Sequence, residues 1–139
     1  MSEFQNGIVN KIHTKCENNA LDSSHPHLEI NCMNQVSQLT AVRIDDVPAV
    51  KVGPGCTRRD LPSTDHVRVW VVDMAPGSEW PRVDEHGDTG EELYIVSGEV
   101  IEGDQRYPAG TYMYFSPGTH HRPRTETGVR MFGFNVTDR

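Results

Sequence analysis

The chain has 139 residues, of which 35% are hydrophobic and 24% charged, and a formal net charge of -7. That length supports one domain with its own core. The acidic balance, with no Lys/Arg-rich stripe beyond Arg58-Arg59, argues against a partner with a phosphate backbone, so no nucleic acid is expected. No run of about 18 apolar residues occurs, so no membrane span is expected either.

Residues 1–38 are polar, rich in Asn, Ser, His and Glu, with only short apolar pieces at Ile8-Val9 and Leu28-Glu29-Ile30. They read as a partly ordered arm, able to lend a strand to a partner subunit. The opening Met1–Lys11 stretch has no apolar signal region. Cys16, Cys32 and Cys56 are odd in number and irregular in spacing, which is no disulfide framework. A reducing, cytoplasmic setting is the expectation. His25-Pro26-His27 lies between Cys16 and Cys32 without the spacing of a zinc motif, and is assigned to the polar arm.

From residue 39 to residue 139 the texture is that of a folded domain. Short β-branched and aromatic runs recur at Ala41–Ile44, Val67–Val72, Leu93–Val96, Tyr112–Phe115 and Val129–Phe134. Turn signals separate them: Gly53-Pro54-Gly55, Pro76-Gly77, Ser97-Gly98, Pro108-Ala109-Gly110 and Pro117-Gly118. That rhythm predicts an all-β sandwich or barrel, with no helical period and no internal repeat. Cys56, placed in the Gly-Pro-Gly turn with no His in its motif, is expected to be a bystander. The aromatic residues, Trp70, Trp80 and Tyr94 among them, are expected to line the barrel or pack the sheets.

The chemistry concentrates between Gly77 and His121. Gly77 opens a stretch with Asp84, His86, Asp88, Glu91 and Glu92, which ends at Ser97-Gly98. Pro108-Ala109-Gly110 follows, then His120-His121. Residues two apart on a strand share a face, so Asp84 and His86 can both point inward. Glu91 is expected on the adjacent strand after the Gly87–Gly90 turn, and His121 on a strand distant in sequence. His120 should then face outward.

These two blocks resemble the paired motifs of the cupin superfamily. In that pattern a Gly is followed by His-x-His, a Glu and a second Gly; a Pro-x-Gly turn then precedes a further His. The resemblance covers roughly residues 45 to 136, and its nearest flavours are anti-sigma-factor cupin domains and small polyketide cyclases. It implies a double-stranded β-helix, or jelly-roll barrel, around one divalent metal ion. The implied ligands are Asp84, His86, Glu91 and His121. This chain departs from the pattern in one place: Asp84 stands where the first His belongs. An alternative register makes His86 the first ligand and Asp88 the second. Spacing to Gly98 favours Glu91 over Glu92.

Two imidazoles and two carboxylates form a borderline-hard donor set suited to Fe2+, Mn2+ or Zn2+. With both carboxylates ionised, their charge of -2 neutralises the ion. Glu92 or Asp88 is the candidate general base. Three functions follow: an enzyme acting on a small carbonyl- or enol-bearing substrate (dioxygenase, cyclase, isomerase or lyase), a metal- or ligand-sensing module, or a metal-free scaffold. A homodimer is expected, since exposed sheet edges invite pairing.

Overall fold

A computed structural model describes residues 39–137, so the arm expected over 1–38 lies outside the described residues. After a 3-10 turn at Ile44–Asp46 the described residues form nine strands. They are β1 (Val50–Gly53), β2 (Cys56–Asp60), β3 (Val67–Met74), β4 (Asp84–Glu85) and β5 (Glu91–Glu102), then β6 (Gln105–Pro108), β7 (Tyr112–Phe115), β8 (His120–His121) and β9 (Val129–Val136). Every strand pairing among them is antiparallel. The main sheet runs β1-β2-β3-β9-β5-β6, with β7 also on β5, while β4 and β8 pair with each other. This is the all-β, jelly-roll arrangement the sequence predicts.

Alternation sets the core. On β3, Trp70, Val72 and Met74 point inward; Leu93 and Ile95 on β5 and Val129 and Met131 on β9 meet them. Each such side chain, fully buried, contributes about 1.5–3 kcal/mol. Of the expected lining aromatics, Trp70 and Trp80 are buried, whereas Tyr94, Tyr112 and Tyr114 lie on the outer face, about half exposed. Also outward, Asp73 accepts from Arg59 Nη1 at 2.5 Å and from Arg130 Nε at 2.6 Å. Arg130 reaches on to Asp45 at 2.9 Å, fastening the 3-10 turn to the sheet.

Three expectations are corrected and one strand pair is added, four points in all. Ala41–Ile44 forms no strand: it leads into the 3-10 turn, and Pro48, which has no N–H to donate, follows. The Gly53-Pro54-Gly55 turn joins β1 and β2, which Lys51, Arg58, Arg59 and Asp60 hid from an apolar pattern. Cys56 lies at the start of β2 rather than in the turn, 1% exposed, and its Sγ–H donates to the Glu79 carbonyl at 3.5 Å.

The fourth point positions the site. Ser97-Gly98 does not end a strand: β5 runs through it to Glu102. The register on β9 shifts between Ile95 and Ser97, marking a bulge. Gly98 has φ +74°, and a Cβ there would overlap the Gly128 carbonyl, so only glycine passes. Beyond the bulge β5 leaves β9 for β6. The extra residue also inverts the alternation: Leu93 and Ile95 point inward before it, Val100 after it.

Candidate metal centre

Asp84 opens β4 and His121 closes β8, and the antiparallel register makes them direct partners. Just beyond β4, the His86 N–H donates to the Thr119 carbonyl at 2.9 Å, which holds His86 against the β8 side. Glu91 is the first residue of β5, whose neighbours in that half are β7 and β9. The expectation that it returns on the strand beside β4 is therefore corrected: the carboxylate comes from a different strand set. One candidate ligand atom from each of Asp84, His86, Glu91 and His121 lies within 4.8 Å of the others.

Hydrogen bonds fix both imidazoles. The Thr119 hydroxyl donates to the Ser116 carbonyl at 2.6 Å, so its oxygen accepts from His86 Nδ1–H at 2.9 Å. His121 Nδ1–H donates to Glu102 Oε1 at 2.6 Å. Each ring thus commits its Nδ1–H outward and turns Nε2 inward, a lone pair whenever the ring is neutral. Both Nε2 atoms are buried with no hydrogen-bond partner among the described residues. His86 Nε2 stands 3.7 Å from Glu91 Oε1, and His121 Nε2 stands 4.0 Å from Asp84 Oδ2. Four donors about 2.1 Å from a shared centre lie roughly 3–4 Å apart, so these separations suit a cation between them. The Phe115 ring packs beside the two imidazoles, its centroid 4.7 Å from His86 and 4.3 Å from His121.

Glu91 is held by a relay. Trp70 Nε1–H donates to Asn135 Oδ1 at 2.8 Å, which sets the amide so that Nδ2 donates to Glu91 Oε2 at 3.0 Å. The other oxygen, Oε1, faces His86. Burial pushes the Glu91 carboxyl above its usual range, against the Asn135 hydrogen bond. Burial also pulls His86 below the usual imidazole value, with His121 adding to the effect. A divalent cation would answer both: it supplies charge for Glu91 and takes the lone pair of a neutral His86.

The other expected residues stand elsewhere. Asp88 is exposed on the loop between β4 and β5. Glu92 is on the opposite face of β5 from Glu91, where it accepts from the Tyr112 hydroxyl at 2.7 Å. His120 is exposed and pairs across to Glu85. The four-residue cluster contains Asp84 and not Asp88, the choice between registers that the sequence leaves open.

Sequence reasoning missed the supports: Thr119, Glu102, Asn135, Trp70 and Phe115. For Glu102 a signal exists. It lies an odd number of residues after Glu91, which on a regular strand means the opposite face. The bulge announced by Ser97-Gly98 restores it to the same face. Next to the cluster lies a cavity of about 20 Å³, space for the centre of a water-sized sphere, between Arg58, Trp70, Val72, Trp80, Leu93 and Met131.

Comparison with known proteins agrees with this architecture. The family described as ChrR cupin-like domain matches residues 37–136. No curated protein sequence matches the chain. An RmlC-like cupin from Shewanella frigidimarina superposes with TM-score 0.62 and 19% identity, over 73% of this chain and 94% of that one. The polyketide cyclase RemF from Streptomyces resistomycificus superposes with TM-score 0.61 and 18% identity, over 73% and 82%. The Rhodobacter sphaeroides complex of SigE with the anti-sigma ChrR gives TM-score 0.57 and 22% identity, over 69% of this chain and 52% of the matched one.

Proposed function

The chain belongs to the ChrR cupin-like domain family, and from that premise we propose that it is a metal-dependent enzyme acting on a small carbonyl- or enol-bearing compound. Asp84, His86, Glu91 and His121 would hold one divalent ion, Fe2+, Mn2+ or Zn2+. One observation carries this: two buried imidazole Nε2 atoms without partners converge with two carboxylates inside 4.8 Å. A divalent ion bound there supplies Lewis-acid polarisation of a substrate oxygen.

The protein's own side chains do the rest. Glu102 and Thr119 keep the two rings in the Nδ1–H tautomer, and Asn135 keeps one Glu91 oxygen turned inward. Trp70, Leu93 and Met131 give the adjoining cavity an apolar wall, which strengthens charge interactions beside it. The cavity's small size favours a substrate of few heavy atoms over a polycyclic one.

Metal titration of the stripped protein tests this reading. One equivalent of Mn2+, Fe2+ or Zn2+ should bind to wild type, and none to the His86→Ala/His121→Ala variant. Absence of binding by wild type would overturn it and leave a scaffold. Oxygen-uptake and product assays with short keto compounds then test catalysis.

A second reading, a non-catalytic sensing module, draws on the family itself, since the ChrR of the matched complex is an anti-sigma factor. Ligand binding without turnover across those assays would favour it. Homodimerisation belongs to the same proposal, and sedimentation over a range of concentrations tests it.

A further inference from the structure

Arg58 is an unusual neighbour for this centre. On β2, Cys56 and Arg58 point inward while Thr57 and Arg59 point outward, and Arg58 lies opposite the buried Val72. A cation on the inner face of a strand is costly unless something answers it. Its Nε–H donates to Asp60 Oδ1 at 2.8 Å, and its guanidinium carbon lies 5.3 Å from the centroid of the Trp70 ring. Nη1 and Nη2 make no hydrogen bond among the described residues. The side chain is 31% exposed, so it stands between the cavity and solvent.

Trp80 lines the same cavity. It is 6% exposed, and its indole Nε1–H is buried without an acceptor among the described residues. Buried indole N–H groups almost always find a partner. The cavity is therefore lined by a guanidinium whose Nη1 and Nη2 have no partner among the described residues and by a tryptophan whose buried indole N–H lacks an acceptor, next to the cluster of Asp84, Glu91 and His121.

We propose that this cavity binds a short carboxylate, its oxygens accepting from the Arg58 guanidinium and from Trp80 Nε1–H. The inference rests on the metal reading above. The ion offsets Asp84 and Glu91, and Arg58, paired to Asp60 through Nε alone, keeps Nη1 and Nη2 for the ligand. Without the ion, two carboxylates face the anion and repel it. The limited volume restricts the ligand to a few heavy atoms, as in acetate. Carboxylate binding is accordingly coupled to metal binding, and the coupling is reciprocal.

The test is calorimetric titration of Mn2+-loaded and metal-free full-length protein with acetate, acetamide and inorganic phosphate. Acetate should bind the loaded protein and bind the stripped protein at least roughly tenfold more weakly, as expected for a charge-assisted contact. Arg58→Gln should weaken acetate roughly 10–100-fold, and Trp80→Phe roughly fivefold, with the Mn2+ stoichiometry unchanged in both. Acetamide binding as well as acetate would overturn the proposal, and so would phosphate binding more tightly. Equal acetate affinity in wild type and both variants would overturn it too. Failure of wild type to bind Mn2+ sinks the metal reading itself, whereas Mn2+ binding without acetate binding sinks only this inference.

Discussion

At the scale of single residues, the centre is organised by atoms that would never touch an ion. Glu102 and Thr119 each accept an Nδ1–H, and so decide which nitrogen of His121 and His86 is bare. Glu102→Ala and Thr119→Val are expected to lower Mn2+ affinity by about 10–100-fold each while leaving the fold intact; calorimetry beside circular dichroism measures both. Burial gives the two inner groups opposite pH signatures. The Glu91 carboxyl is raised, so its contribution to the metal-free protein is complete below the unfolded value of 4.5 and lost as pH rises through the folded value. Metal-free Glu91→Gln should therefore melt above wild type near neutral pH, the gap closing towards pH 4. The His86 imidazole is lowered, so its contribution is present above the unfolded value of 6.5 and lost as pH falls through the folded value. Metal-free His86→Gln should lose less stability than wild type in melts run from about pH 8 down to about pH 5.

At the scale of elements, Gly133 on β9 shows how packing reaches the site. A Cβ there would overlap the Trp70 indole, and Trp70 holds Asn135, which holds Glu91. Gly133→Ala should cost about 1–3 kcal/mol in chemical denaturation by overpacking, and should also weaken Mn2+ binding although it lies three links from a candidate ligand. What the sequence made legible follows the same divide. Val67–Val72, Tyr112–Phe115 and Val129–Phe134 are strands because continuous β-branched and aromatic runs suit a sheet buried on at least one face. β1 and β2 were hidden because Arg58 occupies an inward position where the pattern wants an apolar residue. β4 and β8 are two residues each, too short for alternation to register, yet they carry Asp84 and His121. Those candidate ligands were readable through motif spacing alone. Thr119, Asn135 and Glu102 were not, since cross-strand register and one bulge bring them to the rings, and neither quantity is local in sequence.

At the scale of the whole molecule, the centre joins strands that do not otherwise pair. Asp84, His86 and His121 come from the β4–β8 pair, while Glu91 comes from β5. A cation between them would be a crosslink, and binding to the folded state alone would stabilise it by about 2.7 kcal/mol when free metal stands at a hundred times Kd. Melting temperature should rise with Mn2+ concentration in wild type and stay flat in His86→Ala/His121→Ala. The twelve residues of β5 add something further. At about 3.3 Å per residue a straight strand would hold its ends about 36 Å apart. Yet Glu91 at one end lies by His86 and Glu102 at the other bonds His121, and the two imidazoles are neighbours 4.7 Å apart. β5 is therefore a bow, and the cluster is its string. The bow bends at the Ser97-Gly98 bulge, which is exposed on the surface. Amide exchange there should slow when the string is tied by metal, so that an event inside the sandwich is felt as stiffness on its outside.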